Sequence, residues 1–259
     1  MKNYVISLKS ATARRKHISN EFGKQNINFE FFDAITPNEI QETAQELGLN
    51  ISKTELTQGE IACLLSHVSL WKKALDEKLD YIAIFEDDIY LGENADKFLN
   101  SDQWIPEGID IIKLEAFSKS ALMLFQSIKL INNKKLRQLT GEHLATAGYI
   151  LSLKAVNFYM LKFRSENELI AIDHIMFEKT IFDKTAKVYQ LLPALCIQSD
   201  RLDQFSIISS ELEKERRKRF NQKYQEEKKI KRTLSDKIYR EYKRLILKVR
   251  LIFCKISFT

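Results

Sequence analysis

Three consecutive acids, Glu86-Asp87-Asp88, close an apolar run, Tyr81-Ile-Ala-Ile-Phe85. Like charges this close repel one another, so the triplet invites a cation. Carboxylates two residues apart can present oxygens to a hard divalent ion such as Mg²⁺ or Mn²⁺, which in turn would neutralise a diphosphate. The plainer reading is a solvated acidic turn after a strand. No G-x-x-x-x-G-K-[ST] and no G-x-G-x-x-G follows the first apolar run, so phosphates bound here would rest on metal and basic side chains, not on a glycine loop. Arg14 and Arg15 are placed to help, and a solvated helix face is their alternative. Glu115 ends a second apolar run, Ile109 to Leu114. His67 stands one helical turn after Cys63, near an apolar stripe, where a buried structural contact competes with a chemical role. Asp173-His174 precedes Ile175-Met-Phe177, where Asp173 could equally cap a helix. No Ser-His-Asp or Cys-His nucleophile arrangement is legible.

These residues need elements to hold them. Lys2 to Leu8, Asn28 to Asp33, Tyr81 to Phe85, Ile109 to Leu114, Gly148 to Ser152, Lys187 to Leu191 and Ala194 to Gln198 have the composition of short strands. Between them, Thr12 to Gln25, Pro37 to Gly48 and Lys154 to Arg164 have helical spacing. Thr57-Gln-Gly-Glu60 has the spacing of a capping box, opening a helix in which Ile61, Leu64, Leu65, Val68, Trp71 and Leu75 recur at three- and four-residue steps. Such alternation predicts an α/β fold with a mainly parallel sheet flanked by helices, and in an open sheet of that kind ligands bind at the carboxyl ends of the strands. Phe117 to Gly141 carries no motif and is left as acceptor-specific or connecting.

Composition sets the limits. The 259 residues suffice for one sizeable core. Only seven Gly and three Pro exclude collagen-like and Gly/Pro-rich disordered chains. No apolar run approaches the ~20 residues of a membrane span. The five apolar-rich residues from Tyr4 to Leu8 are too short for a secretory signal. Cys63, Cys196 and Cys254 lack metal-ligand spacing and read as reduced thiols, which points to a cytoplasmic protein. The net charge of +6 conceals two halves. Residues 211–259 carry 17 Lys and Arg against 7 Asp and Glu, leaving residues 1–210 net acidic. The expected division is a catalytic domain over 1–210 and a basic helical tail over 211–259.

Leu56 to Trp71, Thr-Gln-Gly-Glu-Ile-Ala-Cys-Leu-Leu-Ser-His-Val-Ser-Leu within it, followed by Ile82-Ala-Ile-Phe-Glu-Asp-Asp-Ile89, resembles glycosyltransferase family 25, which includes bacterial lipooligosaccharide β-galactosyltransferases. Tyr4 to Arg15, Phe31-Phe-Asp-Ala34, Ala147 to Ser152 and Ile172-Asp-His-Ile-Met176 resemble further blocks of the family in the right order, over about residues 2 to 205. The resemblance implies a GT-A-like fold, a UDP-sugar donor and an inverting transfer. It implies a divalent metal, Mn²⁺ or Mg²⁺, on Asp88 and Glu86, with Asp88 favoured because the general pattern has Asp where Glu86 stands. Ser7, Leu8, Arg15, Asp33, Ala34, Ser66, His67 and Asp87 would contribute to the nucleotide side. Asp173 is the expected base, with Glu115 in reserve. UDP-galactose is the expected donor and UDP-glucose its rival; the acceptor is a terminal sugar of lipooligosaccharide core. The basic tail, Lys228 to Phe258, is then expected to attach the enzyme peripherally to the anionic inner-membrane surface, or else to pack on the body or on a second copy. A nucleic-acid-binding protein led by that tail is the reading from another class, disfavoured by the acidic body and the absence of a binding motif. A metal-dependent phosphohydrolase would use the same acids.

Overall fold

The computed structural model describes residues 1–166, 168–202, 244 and 247–259. In chain order the strands are β1 (Lys2–Ser7), β2 (Glu30–Asp33), β3 (Tyr81–Glu86), β4 (Ile89–Leu91), β5 (Ile111–Lys113), β6 (Met123–Lys129), β7 (Lys135–Leu139), β8 (Gly148–Ser152), β9 (Tyr189–Leu192) and β10 (Cys196–Gln198). The helices that matter for the site are α1 (Thr12–Gly23), α2 (Ile40–Leu47), α3 (Gln58–Asp76), α4 (Asp96–Leu99), α5 (Leu153–Ser165) and α6 (Ile172–His174), the last running into a π-helical turn over Ile175–Lys179.

Eight strands form one sheet in the order β2-β1-β3-β8-β5-β9-β7-β6, and β4 pairs with β10 in a separate ribbon. The sheet is mixed, not mainly parallel. β1 runs parallel to β2 and β3, and β5 parallel to β9, but β8 lies antiparallel between β3 and β5, and β7 is antiparallel to both β9 and β6. The reversal of β8 has a consequence for chemistry. Its amino end, Gly148, sits opposite Phe85 near the end of β3. Residues 145–147 therefore arrive at the same sheet edge as the carboxyl ends of β1, β3 and β5.

Strand alternation divides the apolar residues between two cores. Tyr4, Ile6, Ile82, Ile84, Ile111 and Leu151 pack with α2, α3 and α5. Val5, Ala83, Phe85, Ile112 and Ile150 pack with α1 and α4. The capping box at α3 forms as its spacing predicts: the Glu60 amide donates to the Thr57 hydroxyl, and the Thr57 amide donates to the Glu60 carboxylate. Within residues 117–141, Met123 to Leu139 form the hairpin β6–β7 at the outer edge of the sheet. Its turn carries Asn132 and Asn133, both with positive φ, and the Lys134 amide donates back to the Ile131 carbonyl, a type I′ geometry.

Of the expected tail over 211–259, the residues from 203 to 243, with 245 and 246, lie outside the described residues. Residues 247–252 are helical. After them the chain is built into the body: Cys254 and Ile256 are buried in the α3-side core, the Ala121 amide donates to the Cys254 carbonyl, the Ile256 amide to the Lys119 carbonyl, and the Ala194 amide to the Ser257 carbonyl. No helix among the described residues is long and apolar enough to cross a membrane.

Candidate active site

The acid triplet is divided by the pleat of β3. Ile82 and Ile84 belong to the α3-side core, and Glu86, next in that alternation, contacts the same side. Its Oε1 accepts from the Thr146 hydroxyl at 2.9 Å and lies 3.8 Å from His67 Nε2 on α3. Asp87 contacts the opposite side, where Ser7 Oγ donates to its Oδ2 at 2.6 Å and Arg14 donates to its Oδ1 at 2.8 Å. Arg14 is thus tied to the acids, and a solvated role for it does not hold. Asp88 begins the step into β4. It is buried, takes a 3.4 Å hydrogen bond from the Gln198 amide, and its carbonyl accepts from the Ser199 amide. Burial, reinforced by the charge of Glu86, raises the Asp88 carboxyl to about 7, against the opposing pull of Arg14.

The first strand end is assembled by Arg15. Its guanidinium donates to the carbonyls of Ser7 and Leu8 and to the Asp33 carboxylate, and stacks over Phe31. The Arg15 hydrogen bond holds the Asp33 carboxyl below its ordinary range. The Ala34 amide donates to the Ser7 carbonyl, and Ser66 Oγ on α3 accepts from the Ile35 amide. Ser7, Leu8, Arg15, Asp33, Ala34 and Asp87 therefore meet at one edge, with Ser66 bracing it from behind.

The second half of the edge centres on β5. Lys113 and Glu115 are fully buried, and Lys113 Nζ donates to Glu115 Oε1 at 2.9 Å and to the Ala145 carbonyl, under the face of Phe177. Glu115 Oε2 has no hydrogen-bond partner among the described residues, although the Ala147 amide is close enough to favour the charged carboxylate. Burial pushes this carboxyl to about 7 despite Lys113. Asp173 holds the other side of the same peptide: the Ala145 amide donates to its Oδ2 at 3.1 Å, while the His174 amide donates to its Oδ1. Ala145 takes a φ of 68°, a conformation that a side-chain-bearing residue keeps only when its neighbours fix it. Asp173 and Lys113 are those neighbours. The Glu86 amide then donates to the Ala147 carbonyl, so residues 145–147 link Asp173, Lys113 and Glu86.

Two further residues, His143 and Gln190, join this cluster. The Ser118 amide donates to His143 Nε2, which makes Nδ1 the protonated nitrogen, donating to Gln190 Oε1; Gln190 in turn donates to the Glu115 carbonyl. Burial, with the charge of Lys113, keeps His143 neutral. Neither residue lies in a legible motif. The signal available was a Lys and a Glu two apart in an apolar strand, which alternation turns to one face and forces to find partners.

Compared with known proteins, residues 1–176 match the model of glycosyltransferase family 25 (LPS biosynthesis protein). The lipooligosaccharide biosynthesis protein lic2B of Haemophilus influenzae is 42% identical over 225 residues, 83% of each chain. The lacto-N-neotetraose biosynthesis glycosyltransferase LgtE of Neisseria gonorrhoeae is 41% identical over 83% of this chain and 82% of its own. LgtB of Neisseria meningitidis serogroup B, described in the same terms, is 40% identical over 83% of each. A solved glycosyltransferase involved in glycosylation of the major capsid of PBCV-1 aligns over 76% of this chain and 92% of its own, at 11% identity and a TM-score of 0.41, too loose a likeness to carry an assignment.

Proposed function

The chain belongs to glycosyltransferase family 25 and is a glycosyltransferase, and on that premise we propose that it moves galactose from UDP-galactose, with inversion, to a terminal sugar of lipooligosaccharide core. UDP-glucose is the alternative donor. The observation that carries the reading is the shared edge. Asp87 and the Arg15-braced end of β1 are joined through the Glu86 peptide to residues 145–147, which Lys113 and Asp173 hold beside Glu115, and this supports a donor and a base at one edge.

A divalent ion suits Asp88. Its carboxyl is buried beside another acid and, with no cation, holds its proton to about pH 7. A hard ion offers the compensation that the protein side chains do not complete. When bound there, with Glu86 adding charge nearby, Mn²⁺ or Mg²⁺ would supply charge neutralisation for the leaving diphosphate. The chain's own residues do the rest. Arg14 balances Asp87, Arg15 fixes the strand ends, and the site aligns the two substrates.

In the transfer itself the acceptor oxygen bonds to the anomeric carbon, the bond from that carbon to the diphosphate oxygen breaks, and the hydroxyl proton passes to a carboxylate. We favour Glu115 over Asp173 as that base. Asp173 spends both oxygens on backbone amides, which suits holding the Ala145 turn. Glu115 keeps one oxygen unpaired and has a carboxyl raised to about 7, near the value at which a general base works best at neutral pH. Glu115→Gln should lower kcat by about 10²–10⁴-fold, the usual worth of a general base, with UDP binding retained. Asp173→Asn should cost less. Equal losses in both variants would remove the distinction.

The donor half is tested by thermal shift. UDP with Mn²⁺ should raise the melting temperature of the wild type, because a ligand bound only by the native state stabilises it. The gain should vanish with EDTA and in Asp88→Asn. UDP stabilisation that ignores both would exclude a metal-bridged donor site. Peripheral attachment to the anionic inner-membrane surface is part of the same proposal.

A further inference from the structure

We infer that Cys63, His67 and Glu86 form a binding site for one borderline-soft divalent ion of the zinc class, separate from the hard-ion site at Asp88. The three residues are brought together by two periodicities. Cys63 and His67 stand one turn apart on α3, so they share a face of the helix. Glu86 ends β3 on the side of the sheet that α3 covers. Cys63 Sγ, one ring nitrogen of His67 and one oxygen of Glu86 all lie within 4.8 Å of one another.

His67 provides the second, independent sign. It is completely buried, yet its Nε2 has no hydrogen-bond partner among the described residues. That atom lies 3.8 Å from Glu86 Oε1. The separation is too long for a hydrogen bond. It is close to the roughly 3.4 Å edge between two ligands of a tetrahedral ion with bonds of about 2.0–2.1 Å. The far nitrogen is anchored as a metal-ligating imidazole requires. In the ligating tautomer Nδ1 carries the proton and donates a 2.8 Å hydrogen bond to Tyr149 Oη, which also accepts from Trp71 Nε1 at 3.0 Å. Such outer partners fix the ring and aim the free nitrogen at the ion. Glu86 is anchored likewise by the Thr146 hydroxyl.

The donor set decides which ion. Thiolate and imidazole favour Zn²⁺ and its spectroscopic surrogate Co²⁺ over Mg²⁺ or Mn²⁺, which prefer oxygen alone. Three protein ligands leave a fourth position for water. On binding, the Cys63 thiol loses its proton to the buffer as sulfur bonds to the ion. Cys63 is partly exposed, which gives the ion a way in. An ion here would pin α3 to the end of β3 and take up the charge of Glu86 next to Asp88.

The test uses the full chain, stripped of metal, titrated with Co²⁺ and followed by absorption. Wild type should develop a near-ultraviolet thiolate-to-cobalt charge-transfer band that saturates at one equivalent and is displaced by Zn²⁺. Cys63→Ser should abolish the band, and His67→Gln should weaken binding at least tenfold. Asp88→Asn should keep the band while losing any Mn²⁺-dependent stabilisation by UDP, so this site and the donor site can fail separately. Circular dichroism checks that each variant is folded, and Cys196→Ala serves as a thiol control. No charge-transfer band in the folded wild type, or a band that survives Cys63→Ser, overturns the site.

Discussion

Glu115 and Asp88 hold their protons to about pH 7 in the folded chain, against ordinary values of 4.5 and 3.8. A carboxyl raised by folding binds protons better in the native than in the unfolded state. Its contribution to stability is complete below the unfolded value and is lost as pH rises through the folded one. The metal-free protein should therefore lose melting temperature between about pH 4 and pH 7, the window between these values. Glu115→Gln and Asp88→Asn should each flatten that decline. Added Mn²⁺ should flatten it too, by favouring ionised Asp88. A decline equally steep in both variants would place its origin elsewhere. Lys113 belongs to the same balance. Lys113→Met leaves Glu115 buried without its cation, so the carboxyl keeps its proton to still higher pH and the cost grows as pH rises above about 7. The cost should shrink in acid, where Glu115 is neutral. Urea titrations of both proteins at pH 5 and pH 8 measure the difference. Asp88, Glu115 and Asp173 were placed at strand or helix ends by their apolar flanks. Arg14's ion pair with Asp87 and the neutral His143 depend on residues more than twenty positions away, which spacing does not encode.

At the scale of elements, local signals were legible and strand direction was not. Thr57 and Glu60 announce α3 because the capping box is built from four consecutive residues. Gly148 to Ser152 has the composition of a strand whichever way it runs, and its reversal follows from what it pairs with. The hairpin β6–β7 was missed because six of the seven residues of β6 are exposed, polar and apolar alike, which erases the alternation. Its Asn132-Asn133 turn was the available sign. The reversed strand also explains a glycine. A Cβ on Gly148 would lie 2.3 Å from Cys196 Sγ and 3.2 Å from Phe85. Gly148 is thus the point where β3, β8 and β10 converge beneath the acids. Gly148→Ala should destabilise by about 1–3 kcal/mol, the usual cost of overpacking a filled core. Adding Cys196→Ala should recover part of the loss by removing the obstructing sulfur. Additive losses in the double variant, measured by chemical denaturation, would show that the sulfur is not the obstacle.

For the whole molecule, the proposed membrane attachment has to be assigned to a surface. In that proposal the basic residues of 211–259 would supply attraction, about 1 kcal/mol for each one near an anionic surface. The folded body would add an apolar component that charge counting does not reveal. Phe125 on β6 and Phe253 are 69% and 62% exposed, and their rings lie 6.4 Å apart. Ile128, Val249 and Ile252 are exposed as well, with Lys248 and Arg250 on the same terminal helix. Deleting everything from Lys228 to Phe258 would be a poor test of attachment, because it also removes Cys254 and Ile256 from the core and the hydrogen bonds to Ala121, Lys119 and Ala194. Loss of binding would then be indistinguishable from loss of fold. Substitution at the surface avoids this. Phe125→Ser with Phe253→Ser should leave the melting temperature nearly unchanged, since both rings are mostly in water. The pair should weaken sedimentation with vesicles containing anionic phospholipid by at least tenfold. Salt should weaken binding of the wild type by screening the basic residues, and the ratio between wild type and variant should persist at high salt, because the apolar part is not screened. Vesicle binding that is unaffected by the double substitution would assign attachment to the basic residues alone.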